Sequence, residues 1–306
     1  MNNIRRDLIN NTYYLGVPAI RDEVTWRKMG RENTLVTADS AAAEDALTKN
    51  TGTSKTVDTT GEGGTKSQSD KSQSNTSTLL VPASLTFVAL LSPEGFFLAP
   101  DGNWTRSTNF APTFADVKLN CRAIAPSDVE TFANDFTSVM QNIEWLMAQT
   151  ETPGNTKQGV LTSNESPKIS IKMRHVLFEE NNGEADPEQV VAMEEWPVKT
   201  PEALEAIERM KDTHHVVPLP AYDTKGNIIP PVLYRDALMG AVVRVIVKLR
   251  HWNIAAKRNT SDSSRDTYVA DIESLRVLTP PGKAKASRKI AQTDPGSPSK
   301  KRRVGL

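Results

Sequence analysis

Hydrophobic and polar residues alternate most regularly over residues 241–252, where Val243, Val245, Val247 and Leu249 fall on one side and Arg244, Ile246, Lys248, Arg250 and Trp252 on the other. Successive side chains of a strand point to opposite faces, so this run predicts a strand with an apolar face and a basic face ending in an aromatic. Residues 168–178 repeat the pattern: Ile169, Ile171, Met173 and Leu177 oppose Lys168, Ser170, Lys172, Arg174 and Phe178. A third run, 268–278, changes phase. Tyr268, Ala270 and Ile272 point inward, then Leu275 and Val277, which requires an extra residue, a bulge, near Glu273-Ser274.

Other runs fill in the outline. Residues 79–91 predict a Leu/Val/Phe-rich strand, and the turn Ser92-Pro93-Glu94-Gly95 into Phe96-Phe97-Leu98 predicts a hairpin. Pro100-Asp101-Gly102-Asn103 reads as a second turn, and 114–121 alternate as a half-buried strand. Ser127 with Glu130 has the spacing of a capping box. The helix it opens carries Phe132, Phe136, Val139, Ile143 and Met147 on one stripe and stops before Pro153-Gly154. A shorter helix starts at Pro201 behind the cap Thr200.

Between these elements composition shifts sharply. Residues 48–78 are almost all Thr, Ser, Gly, Lys, Gln, Asp and Asn, too polar to offset the entropy of ordering, and read as a disordered linker. The expected division is an N-terminal arm (1–47) docking on the body, the linker (48–78), a folded body (79–280) and a disordered basic tail (281–306). The fold class is mainly β or α+β, a barrel with one long amphipathic helix.

Charge narrows the function classes. The 306 residues hold 37 Lys+Arg against 37 Asp+Glu, so any affinity for nucleic acid comes from local clustering, not from a field of the whole chain. One cysteine, Cys121, excludes an internal disulfide framework, and the four histidines lack metal-ligand spacing. No apolar run reaches the ~18 residues of a membrane span. The start of the chain has no apolar h-region, which leads us to expect a reducing, intracellular setting with no membrane partner.

Rows of Lys and Arg with an aromatic at the end are what single-stranded nucleic acid requires, because phosphates take the cations and any base stacks on a ring. One rail is Lys168, Lys172, Arg174 and Phe178; the other is Arg244, Lys248, Arg250 and Trp252, with Lys257 and Arg258 in the polar loop beyond. The competing explanation is a solvated sheet face whose cations discourage edge association.

Gly240, Val243, Val245, Val247, Leu249 and Trp252, followed by a polar loop and then Tyr268, Ala270, Ile272, Leu275, Val277 and Leu278, resemble the closing strands of OB-fold single-stranded DNA-binding proteins. About forty residues carry this resemblance. It implies an OB-like barrel and sequence-tolerant binding of single-stranded nucleic acid, with DNA the first expectation and RNA the second, in replication, repair or mobile-element propagation. The alternative is a non-enzymatic protein-interaction or assembly module, with a protein partner or a second copy in place of the strand.

At the C-terminus, Arg288-Lys289 and Lys300-Lys301-Arg302-Arg303 flank a ten-residue Pro/Gly/Ser-containing spacer. That is the spacing of a bipartite nuclear localisation signal, which predicts a nuclear import receptor as partner and the nucleus as destination.

Catalytic patterns are missing. Gly61-Glu62-Gly63-Gly64 lies in the linker rather than between a strand and a helix, and His214-His215 reads as a loop pair. Asp271 and Glu273 share one strand face without a third acid. The expectation is a protein that is not an enzyme and holds no metal or cofactor.

Overall fold

The computed structural model describes residues 1–51, 80–107, 111–162, 170–181, 191–256 and 263–282. Its strands are β1 (Val24–Met29), β2 (Glu32–Thr37), β3 (Leu85–Leu91), β4 (Lys118–Ile124), β5 (Thr156–Gln158), β6 (Leu161–Thr162), β7 (Ser170–Val176), β8 (Phe178–Glu180), β9 (His214–Val216), β10 (Ala221–Tyr222), β11 (Val242–Ile254) and β12 (Arg265–Thr279). The helices are α1 (Asn2–Ile9), α2 (Ile20–Glu23), α3 (Ala38–Thr51), α4 (Glu130–Ala148), α5 (Pro201–Met210) and α6 (Tyr234–Leu238).

The strongly alternating runs become the two longest strands, β11 and β12, which pair antiparallel along their whole length. Ile246 faces Ser274 and Val247 faces Ile272, so Glu273 is the extra residue, at the place where the apolar spacing changes phase. β11 also pairs with β3, β3 with β4, β4 with β7, and β7 with β12 in parallel. These pairings close on themselves. Five strands form a ring whose inner faces carry Phe87, Leu119, Met173, Val245, Leu249 and Tyr268, all buried.

β3 and β4 meet only at Leu90–Leu91, and the N-terminal segment fills the space beside the rest of β3. The Leu15 amide donates to the Thr86 carbonyl, and the Thr86 amide donates to that of Tyr13. Tyr14, Leu8, Val88 and Phe132 then bury one another outside the ring, between α1, α4 and β3. α4 packs on β3 through its apolar stripe. The hairpin β1–β2 turns at Gly30 (φ +64°), a conformation glycine adopts without a Cβ penalty, and extends the sheet by pairing Thr34 with Arg250. The first fifty residues thus contribute both strands and core.

Several local expectations change. Phe96–Leu98 is not the second arm of a hairpin: the Ser92 and Phe97 amides donate to β4 carbonyls at Arg122 and Asn120, so the segment lies along β4 instead. Phe114–Asp116 is a 3-10 turn closed by a Thr113/Asp116 capping box, and the strand begins only at Lys118. α4 starts at Glu130, not Ser127, because the Val129 amide is held in a turn by Pro126 and the Ser127 hydroxyl bonds Asp128. α3 runs through Thr51, into the stretch that composition assigns to the linker. α5 starts at Pro201 with the Thr200 hydroxyl accepting from the Ala203 amide. His214-His215 lies in β9, paired with β8, and not in a loop.

Candidate nucleic-acid interface

The residues that alternate away from the ring interior share its outer face over β4, β7, β12 and β11. Register aligns them in rows: Lys248 opposes Asp271, Asp271 opposes Arg174, and Arg174 opposes Asn120. The rows on either side set Lys172 against Arg122 and Val176 against Lys118. Arg174, Lys248, Arg250 and Trp252 are half-buried and Lys172 is exposed. Lys172 and Arg174 of one expected rail and Lys248, Arg250 and Trp252 of the other therefore share one face, with β12 between them.

The structure adds carboxylates to that face. Asp271 accepts from Arg174 Nε at 2.7 Å and from Arg250 Nε at 3.1 Å. Glu273 pairs with Lys248 Nζ at 2.6 Å, and Glu32 of β2 with Arg250 Nη1 at 3.2 Å. Any anion approaching these cations competes with local acids. On the β4–β7 side the balance tips toward positive charge. Desolvation first, and the Arg122 guanidinium second, lower the pKa of Lys172; desolvation and Arg174 lower that of Lys118, partly offset by Asp116 and Asp271. Burial, more than the neighbouring cation, sets both depressions.

Trp252 stands at the end of the face, with the Arg174 guanidinium 5.8 Å from its ring centroid, a cation–π distance. The next residue inward, His251, is buried and braces this end of β11. Its Nε2 lies 2.9 Å from Asp266 Oδ1 and its Nδ1 3.0 Å from the Asn33 amide. Asp266 also accepts from the Thr152 amide at 2.8 Å. Burial pushes the Asp266 carboxyl up, but the Thr152 and His251 hydrogen bonds outweigh it and hold its pKa below the usual range. Tyr268 stacks on His251 at 4.6 Å, and Trp26 meets both rings edge-on. The His251–Asp266 pair is buried in this packing and lies away from the outer face, so it anchors strand ends.

One expected member leaves the site. Phe178 is 4% exposed and packs 4.9 Å from Phe114: β7 ends at Val176, and Phe178 opens β8, which pairs with β9 in a separate two-stranded sheet. Lys168, Lys257 and Arg258 lie outside the described residues, as do Arg288, Lys289, Lys300, Lys301, Arg302 and Arg303. Two cations went unnoticed in the sequence: Lys118 and Arg122 alternate outward on β4 as Lys172 and Arg174 do on β7. Among the described residues no group of three or more His, Cys, Asp or Glu is placed to hold a metal, and no helix is long and apolar enough to cross a membrane.

The chain matches no protein-family model and no curated protein. Among solved structures it is similar to gp2.5, a single-stranded DNA-binding protein encoded by bacteriophage T7, at 13% identity and a TM-score of 0.35, over 67% of this chain and 96% of that one. It is also similar to the single-stranded DNA-binding protein of bacteriophage Enc34 in complex with ssDNA, at 10% identity and a TM-score of 0.29, over 65% and 86% of the two chains. At TM-scores this low the likeness carries no weight for this chain, which has to be read from its own geometry.

Proposed function

We propose that the outer face of β4, β7, β12 and β11 binds single-stranded nucleic acid, with DNA as the expected ligand, without sequence selection. The observation that carries this is the continuity of the face: Lys118, Arg122, Lys172, Arg174, Lys248 and Arg250 lie on three strands, β4, β7 and β11, joined through β12, and lead to the half-exposed ring of Trp252. Cations take phosphates and the indole takes a base, neither of which needs a particular sequence. A closed five-strand ring supports the OB-like reading, in which ligands meet a strand face and its adjoining loops. Asp271, Glu273 and Glu32 keep the cations in place without ligand and are exchanged for phosphates on binding. The two C-terminal basic clusters add a proposed nuclear destination, in replication or repair; this part rests on their spacing alone, and a fluorescent fusion carrying residues 281–306 tests it.

A second reading, a protein-interaction module, has its own observation. Trp196, Pro218, Pro220 and Tyr222 line an apolar cavity of about 880 Å³ whose rim includes Ile228, 70% exposed. Fluorescence anisotropy of the full chain with labelled oligo-dT across a salt series separates the two. Binding whose log–log salt slope approaches about −0.7 per phosphate supports the nucleic-acid face, whereas no binding at low salt overturns it.

A further inference from the structure

Beyond the bulge, where Ile246 opposes Ser274, the shifted register sets Arg244 directly opposite Arg276. Like charges facing each other across a strand pair disfavour it. Elsewhere on this face Arg174 and Arg250 each have an acid; among the described residues these two guanidinia have no hydrogen-bond or ion-pair partner, and Arg244 Nε is buried without one. Both line a cavity of about 320 Å³ between α1, the two strands and the turn after β10. Thr224 and Asn11 add neutral polar groups, Leu8 an apolar wall, and Asp7 is the one carboxylate in the lining, so the cavity is net cationic. The turn comes close: a Cβ at Gly226 would stand 3.6 Å from Arg276 Nη2.

We propose that this cavity is a phosphate-binding site that takes a backbone phosphodiester of the bound strand, at the far end of β11 from Trp252. Two forked guanidinia converging in a partly desolvated cavity suit a tetrahedral oxyanion, and an anion there converts a repulsive pair into a bridged one. Eight residues separate Arg244 from Trp252 along β11, roughly 27 Å of extended strand. A ligand lying along β11 would thus be held at both ends. That occupant rests on the single-strand reading, while the anion site rests on the arginine pair itself.

The test uses the full chain and the variants Arg276→Gln and Arg244→Gln, each melted in phosphate and in chloride at matched ionic strength. Phosphate is expected to raise the melting temperature of the parent and of neither variant. In chloride each variant should melt no lower than the parent, since the repulsion is gone; a residue that merely supported the fold would lower it. With oligo-dT, each variant should lose about 0.7 from the log–log salt slope. A phosphate response that survives in both variants overturns the site. An unchanged slope overturns its use by the strand. A parent that shows the phosphate response but never binds oligo-dT overturns the single-strand reading while leaving the anion site standing.

Discussion

Arg174 holds Trp252 from one side and Asp271 from the other: its guanidinium carbon lies 5.8 Å from the indole centroid while its Nε donates to the carboxylate at 2.7 Å. The two residues come from β7 and β11, with β12 between them. The side chain bridges the sheet and fixes the ring at the edge of the basic face. Trp252→Ala is therefore expected to weaken oligo-dT binding by roughly 5- to 150-fold, the ~1–3 kcal/mol of one stacked base. The half-exposed ring contributes little to the core, so the circular dichroism spectrum should be unchanged. Parental affinity in the variant would remove Trp252 from the interface.

Asp271 accepts from two arginines and opposes a lysine, so it is the carboxylate that most restrains the face. Asp271→Asn keeps the shape and removes the charge. Because Arg174 and Arg250 are partly exposed, the pairs contribute little stability, and the expected change in urea unfolding is within about 1 kcal/mol. Affinity for oligo-dT should rise and the salt slope should steepen, since two cations become available to phosphates. Weaker binding would instead mean that Asp271 aims the arginines at the ligand.

How much of this face is legible in the sequence depends on which contacts are local. The inner residues of β11 and the bulge at Glu273 are readable because a closed ring imposes strict alternation, and only an extra residue explains Ile272 followed by Leu275. Phe178 is misread because alternation stops at Val176: Leu177 and Phe178 are both buried, and no glycine or proline marks the change. The Thr113/Asp116 box ahead of β4, and Gly30 between two short alternating runs, were usable signals for elements that the pattern alone misplaced or left undefined. The ion pairs were not readable at all. Arg250 meets Glu32 only because β2 joins the sheet beside β11, a pairing set by tertiary packing.

The N-terminal segment is expected to be indispensable to the fold. Asp135 of α4 is buried and accepts from Arg5 Nε and Nη2, each at 2.8 Å, and from the Tyr14 hydroxyl at 2.8 Å. Asp135→Ala leaves the fully buried Tyr14 hydroxyl without its acceptor and Arg5 without its fork. A destabilisation of about 2–3 kcal/mol in urea unfolding is expected, below that of a wholly buried pair because the Arg5 side chain is 37% exposed. Tyr14→Phe removes both donor and need, and should cost less. Equal losses in the two variants would show that the hydroxyl, and not the arginine, dominates the junction.

His175 provides a pH-dependent term. It is buried on β7, its Nε2 2.8 Å from the Val217 carbonyl and its Nδ1 at a long 3.4 Å from that of Ile272. Desolvation lowers its pKa from the ordinary 6.5, and those carbonyls, with Asp271 and Glu179, only partly restore it. Below about pH 6.5 the unfolded chain takes up a proton that the folded protein refuses, so acid favours unfolding. Stability from this group is complete above the ordinary value and is lost as pH falls toward the lowered one. His175→Gln keeps a donor for Val217 and cannot titrate. Urea unfolding at about pH 7.5 and about pH 5.5 should show the parent losing more stability than the variant across that interval. The comparison cancels the remaining histidines and carboxylates, which both proteins share. Equal losses in the two would mean that His175 takes its proton as readily folded as unfolded, and that the Val217 and Ile272 carbonyls welcome the imidazolium.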